Sequence, residues 1–90
     1  MPALKITIQG RVQQVGFRNF TLILARSMDI TGEVWNRSDG AVDCVAVNPI
    51  REVLDLFAQR IEEGPGHIRD VQIESISERD HPDFSVGLTR

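Results

Sequence analysis

The sequence predicts an α+β sandwich in which two helices cover one face of an antiparallel sheet. Three observations carry that expectation. Leu4, Ile6 and Ile8 alternate with Lys5, Thr7 and Gln9, the period of a half-buried strand. Two later segments, beginning at Phe17 and at Ile50, carry apolar residues at the spacing of one helix face. Between those segments, an Asp39-Gly40 pair separates two strand-like runs, a strong short-range signal for a hairpin.

The first strand stops at Gly10. The stretch Gly10 to Arg18, reading GRVQQVGFR, keeps neither period throughout and holds two glycines, so it reads as a strand-to-helix loop. Phe17, Phe20, Ile23, Leu24 and Met28 then mark a helix near residues 18–28, with Thr21 and Arg26 off its apolar stripe. It should end close to Asp29, before Gly32. Two strands follow. Val34 and Asn36 share one face of the first, and Glu33, Trp35 and Arg37 share the other. In the second, Val42, Cys44 and Ala46 face one way and Asp43, Val45 and Val47 the other.

Asn48-Pro49 opens the second helix, because Asn is a favoured N-cap and Pro at the first helical position loses no needed hydrogen bond. Its stripe is Ile50, Val53, Leu54, Phe57 and Ile61, while Arg51 and Asp55 form a weak surface pair four residues apart. Gly64-Pro65-Gly66 ends it, with Gly64 suited to a left-handed cap. Val71, Ile73 and Ile76 suggest a fourth strand, and Phe84, Val86 and Leu88 a short fifth. The order is βαββαβ plus a C-terminal strand. Each helix must bury one apolar face, and the economical solution is a ferredoxin-like split βαβ sandwich with both helices on one side. That architecture hosts unrelated functions, RNA readers and metal carriers among them, so function has to come from particular residues.

Composition narrows the choice. The 90 residues are 41% apolar and 26% charged, which fits one folded domain rather than a disordered chain. The net charge of -3 provides no broad basic surface for nucleic acid or an acidic membrane, so any anion site must be local. The single cysteine, Cys44, has no partner for an internal disulfide, and no Cys/His spacing suggests zinc. There is no leader-like N-terminus and no run near the ~18 apolar residues of a membrane span. A cytoplasmic monomer is expected.

Two places can hold chemistry. The loop from Gln13 to Arg18 leaves a strand and enters a helix, where successive backbone N–H groups can form a nest and the helix terminus adds partial positive charge. Both favour a phosphate, and the planar fork of Arg18 stands at the mouth. From spacing alone, a plain connection with a solvated Arg18 is the simpler reading. Asn36 falls on the expected buried face, where an amide needs partners. Taken alone, it reads as a turn asparagine bonding its own backbone. Trp35, on the other face, reads as a surface-covering or edge side chain. His67 and His81 should be exposed. Glu62, Glu63, Asp80 and Asp83 should be solvated, and Cys44 should be a small core residue.

The motifs decide between these readings. Gly10-Arg11-Val12-Gln13-Gln14-Val15-Gly16-Phe17-Arg18 resembles the acylphosphatase signature G-x-V-Q-G-V-x-F-R. The segment Gly32-Glu33-Val34-Trp35-Asn36-Arg37-Ser38-Asp39-Gly40-Ala41-Val42 resembles the second signature of the same family, and Gly64-Pro65 followed by Val71 fits its pattern after the second helix. The similarity runs in order over nearly the whole chain. It implies a single acylphosphatase-like domain over residues 1–90 that hydrolyses small acyl phosphates. It further implies that Gln14, Val15, Gly16, Phe17 and Arg18 cradle the phosphate, that Arg18 binds it, and that Asn36 places the attacking water. No metal and no cofactor is implied; the partner is a small-molecule acyl phosphate, with neither nucleic acid nor membrane. The same resemblance extends to domains of larger carbamoyl-transfer proteins.

Four positions depart from the pattern. Gln14 stands where the family has Gly. Glu33 replaces an aromatic or aliphatic residue, Trp35 a basic or small one, and Asn48 a Gly whose backbone needs Asn tolerates. Gln14 matters most because it lies inside the cradle. It favours the alternative of a catalytically weak, acylphosphatase-like module that binds an anion or a protein. A third reading, an RNA-binding domain, is opposed by the negative charge and the lack of a stacking pair on the strands.

Overall fold

The computed structural model describes residues 1–90. The elements run β1 (Pro2–Arg11), α1 (Phe17–Ser27), β2 (Thr31–Asn36), β3 (Val42–Val47), α2 (Arg51–Arg60), β4 (His67–Ser77) and β5 (Phe84–Val86), with a 3-10 turn at Ile61–Glu63. The strands form one sheet in the order β4-β1-β3-β2-β5. The βαββαβ order and the two-helix cover are as the sequence predicts. The sheet is mixed rather than purely antiparallel, because β5 pairs parallel with β2. The cause is topological. β4 lies beside β1 at one edge and leaves the sheet next to Pro2, the end where β1 begins. A strand that enters at the opposite edge from that end must run with β1 and β2. No helix is long and apolar enough to cross a membrane.

Both helices bury residues in one core with the sheet. Ile6, Ile8, Val34, Val42 and Cys44 meet Phe17 and Ala25 of α1 and Leu54 and Phe57 of α2. The Phe57 ring meets Phe84 of β5 edge-on, with centroids 6.5 Å apart, so α2 and the edge strand share one contact. A bulge between β1 and β4 at Gln9/Gly10 shifts the register by one residue. The shift returns Ile68 to the core side, where it packs against the core as Val71 does, instead of turning it to solvent.

Several local expectations need correction. In α1 the buried line is Phe17, Thr21 and Ala25, and Ile23 is 61% exposed. Thr21 joins the buried face because its hydroxyl donates to the Phe17 carbonyl at 2.9 Å, satisfying itself within the helix. Asp29 closes α1 in a left-handed conformation (φ 55), and Ile30 N–H donates to Ala25 O while Asp29 N–H donates to Arg26 O. That is the Schellman pattern. α2 starts at Arg51 with Ile50 as its N-cap, not at Asn48-Pro49. The Asn48 amide is used elsewhere, donating to Asp29 O and accepting from Ile50 N–H, so it ties the α1 exit to the approach of α2. Neither Asn48 nor Gly64 is left-handed. Gly64 is extended and serves for space, since a Cβ there would lie 2.6 Å from the Phe17 ring. Ile73 is half exposed at the β4 edge, and Leu88 lies beyond β5 in solvent.

Candidate active site

The topology brings five segments to one end of the sheet. β1, β2 and β5 finish there, and β3 and β4 begin there, so the loop 12–16, the turn 37–41 and residues 87–90 all gather at that end. The hairpin forms where Asp39-Gly40 predicts it, with Asn36 and Val42 as the last pair, and Arg37 N–H donating to Ala41 O at 2.8 Å. Asp39 accepts from Ala41 N–H at 3.2 Å and from Arg37 at 2.6 Å. The Ala41 N–H, joined by the Arg37 charge, holds this carboxyl below its ordinary range against an opposing cost of desolvation.

The loop from β1 to α1 turns through two left-handed residues, Gln14 (φ 61) and Gly16 (φ 85). The backbone N–H groups of Gln13, Gln14, Val15 and Gly16 make no well-formed hydrogen bond within the protein. Gln14 adopts the kind of angle that glycine supplies freely, so its side chain does not prevent the left-handed turn. One side chain fixes the loop to the hairpin: Gln13 Nε2 donates to Arg37 O at 2.8 Å and to Ala41 O at 3.0 Å.

Beside the loop lies a cleft of about 220 Å³, bordered by Val12, Gln14, Gly16, Phe17, Arg18, Asn19 and Val86. That volume is below the ~300 Å³ at which drug-sized ligand sites begin, so it suits a small molecule. Arg18 sits in the first turn of α1 and is half buried. It makes no ion pair, whereas Arg37, the other half-buried arginine, has Asp39 and Asp43. A guanidinium at a cleft with no carboxylate partner is free to pair with an arriving anion.

Asn36 lies at the end of β2 on the helix-covered face, in line with Val42 and Ile8 across the ladder. It is 8% exposed, and its Oδ1 is buried with no hydrogen-bond partner in the protein. The turn-asparagine reading is therefore wrong for its side chain. An orphaned buried acceptor of this kind calls for an explanation.

Of the residues expected at the site, Gln14, Gly16, Phe17 and Arg18 border the cleft. Val15 belongs to the loop but not to the cleft wall, and Asn36 stands at the same end of the sheet without lining it. The sequence reading missed Asn19 and Val86 as wall residues and Gln13 as the loop's clamp. Gln13 had a signal, a glutamine inside the first motif, but Val86 looked like any strand valine. No three His, Cys, Asp or Glu side chains come together as a metal site. Cys44 is buried, and desolvation, aided by the Asp43 charge, pushes its thiol far up, which leaves no usable thiolate. Asp80 and Asp83 do not float free: they take Thr31 and Arg26 as partners. His81 is half buried, not exposed, with an unpartnered Nε2.

Comparison with known proteins agrees with the motifs and the geometry. A family model for acylphosphatase matches residues 4–86. An acylphosphatase of Salinibacter ruber is 45% identical over 69 residues, covering 77% of this chain and 68% of that one. One from Enterococcus faecalis is 36% identical over 77 residues, covering 82% and 84%. The crystal structure of acylphosphatase from Bacillus subtilis superposes with a TM-score of 0.91 at 32% identity, covering 97% of this chain and 99% of that one. With the motifs, the fold and a match over nearly its whole length in agreement, the chain belongs to the acylphosphatase family.

Proposed function

We propose that this chain hydrolyses the carboxyl–phosphate anhydride bond of small acyl phosphates, releasing a carboxylate and inorganic phosphate. Family membership supports the reaction class. One observation carries the assignment of residues: the half-buried Arg18 has no carboxylate partner and borders a small cleft beside a loop of free N–H groups. The phosphoryl group lies in that loop, bound by the N–H groups from Gln14 to Arg18 and by the Arg18 fork. Asn36 Oδ1, buried and unpartnered, accepts a hydrogen from the attacking water and fixes its lone pair toward phosphorus.

The water oxygen forms a new bond to phosphorus as the bond to the acyl oxygen breaks, and the carboxylate leaves with that electron pair. A carboxylate is stable without protonation, so no general acid is required. The water's proton passes to a phosphate oxygen. Positioning and charge stabilisation then supply the catalysis, as in phosphoryl transfer generally. In this reading residues 1–90 act as one domain, a cytoplasmic monomer on a small-molecule substrate, with no cofactor, no nucleic acid and no membrane.

The test is an assay of the purified protein with a simple aromatic acyl phosphate, in excess chelator, with inorganic phosphate as inhibitor. Hydrolysis should persist in chelator and phosphate should compete with substrate. A protein with no hydrolysis under any condition refutes the activity. Loss on chelation, restored by a divalent ion, refutes the metal-free mechanism.

A further inference from the structure

β5 ends at Val86, opposite Val34, so Asn36 lies two residues beyond the last regular pair on that side of β2. On the other side it is held by Val42 of β3. The outer side is closed by the last residues of the chain. Gly87 N–H donates to Val34 O at 2.8 Å, Arg90 N–H donates to Asn36 O at 2.9 Å, and Ser38 N–H donates to Arg90 O at 2.6 Å. The donors are three residues apart where the acceptors are two apart, so this is not a continued ladder, and the spare length throws Leu88 out to 88% exposure. A segment paired this irregularly needs another anchor.

The Arg90 side chain supplies one on the opposite face of the sheet. Its guanidinium stacks over the Trp35 ring, 4.0 Å from the centroid, and its Nη2 meets Glu33 Oε1 at 2.6 Å. Trp35 is 8% exposed beneath it. Glu33 and Trp35 are two of the four departures from the family pattern, and both are explained by this one contact. A guanidinium on an aromatic face with a carboxylate partner contributes more than an exposed pair alone.

We infer that Arg90, gripped by Trp35 and Glu33, is a positioning residue for the reaction: it straps residues 87–90 along β2 and holds the Asn36 backbone, and with it the side chain, at the angle that aims water. The inference rests on the role proposed for Asn36. The phosphate loop is shaped by its own left-handed residues, and of the two carbonyls that Gln13 clamps, Ala41 O makes no bond to residues 87–90, so loosening the strap should affect phosphate binding much less than turnover.

The experiment compares Arg90→Gln with the parent, using Arg51→Gln as a control for the loss of a paired surface arginine on α2. In Arg90→Gln, kcat should fall about three- to tenfold while the inhibition constant for inorganic phosphate stays within about twofold. Arg90→Lys, which keeps a cation over Trp35, should recover most of the loss, and Glu33→Gln, which removes the carboxylate partner of Arg90 and should lower kcat in the same direction, replaces Arg90→Gln if that variant does not fold. A kcat unchanged in Arg90→Gln overturns the inference, as does a parallel loss of phosphate affinity, which would mean general loosening. The Asn36 side-chain amide signals, followed by NMR in phosphate buffer, give a second readout that needs no turnover. They should move in Arg90→Gln and not in Arg51→Gln. Unmoved signals overturn the strap, whereas a parent without hydrolysis but with shifted signals refutes only the proposed activity.

Discussion

The loop that leads into Arg18 and the strand that carries Asn36 lie at the same end of the sheet, but they are held there differently. The loop is shaped by its own backbone, with Gln14 and Gly16 left-handed, and is tied to the hairpin by the Gln13 side chain. Asn36 sits on extended backbone between β3 on one side and the 87–90 segment on the other. The first arrangement is local and is written in a short motif. The second is assembled from residues as far apart as Glu33 and Arg90. The left-handed residues fall in the loop, where in the proposed mechanism donors point at an anion, and Asn36 has none beside it, where in that mechanism a single acceptor is held still.

Substitutions at the two functional side chains should separate the two arrangements most sharply. Arg18→Lys keeps the charge but loses the fork, so turnover and phosphate affinity should both fall, with kcat/KM down roughly a hundredfold, or ~2.7 kcal/mol. Because Arg18 has no internal partner, thermal unfolding should barely change, which a melt followed by fluorescence of the single tryptophan can check. Asn36→Ala should lower kcat by about tenfold while phosphate still inhibits as in the parent. A kcat within about twofold of the parent, only ~0.4 kcal/mol, would remove Asn36 from the mechanism.

A smaller effect tests the clamp between the two regions. Gln13→Ala removes both hydrogen bonds to the hairpin carbonyls. Those carbonyls keep other partners, since Gly40 N–H donates to Arg37 O and Arg37 N–H donates to Ala41 O, so no acceptor is orphaned. The cost in stability should be about 1 kcal/mol by urea unfolding. The phosphate inhibition constant should rise several-fold while kcat at saturation changes little. An effect on kcat alone would mean that Gln13 acts on the Asn36 side.

The contrast also explains what could be read in advance. The strand alternation at Leu4, Ile6 and Ile8, the hairpin at Asp39-Gly40 and the loop between the first strand and the first helix were all legible, because each depends on neighbours in sequence. The α1 stripe was misread at Thr21 and Ile23 because a hydroxyl that bonds its own helix can be buried while an isoleucine on the wrong side cannot. Asn48 was assigned to a helix cap by local rules, yet its amide bonds Asp29 O, and Gly64 does close the 3-10 turn but is extended rather than left-handed, as suits a residue before Pro65. The direction of β5 and the partnership of Arg90 with Trp35 depend on chain crossings that no local period records.

The smallest effect concerns Gln14, where the loop departs from the family. If the family's glycine serves to supply a backbone angle, Gln14→Gly should relieve strain; if it serves to leave room for the phosphate, the substitution should raise activity instead. Gln14 is exposed and left-handed at φ 61, which favours the first account. A non-glycine residue in that conformation costs roughly 1–2 kcal/mol, and glycine gives back ~0.5–1 kcal/mol through its freer unfolded chain. The net gain for Gln14→Gly is therefore about 0.5–1 kcal/mol, or roughly 2–8 °C in Tm for a domain of this size. Gly16→Ala is the mirror experiment. Gly16 has open space around the position of a Cβ and φ 85, so only its angle resists substitution, and a loss of about 1 kcal/mol should follow. Catalytic efficiency of the unmodified protein should lie within about tenfold of Gln14→Gly, ~1.4 kcal/mol at most. A melt and an acyl phosphate assay on the same preparations check both. An unchanged Tm with a gain of more than roughly a hundredfold in kcat/KM would show that the side chain obstructs the cradle, and that the loop of this chain is shaped correctly but blocked.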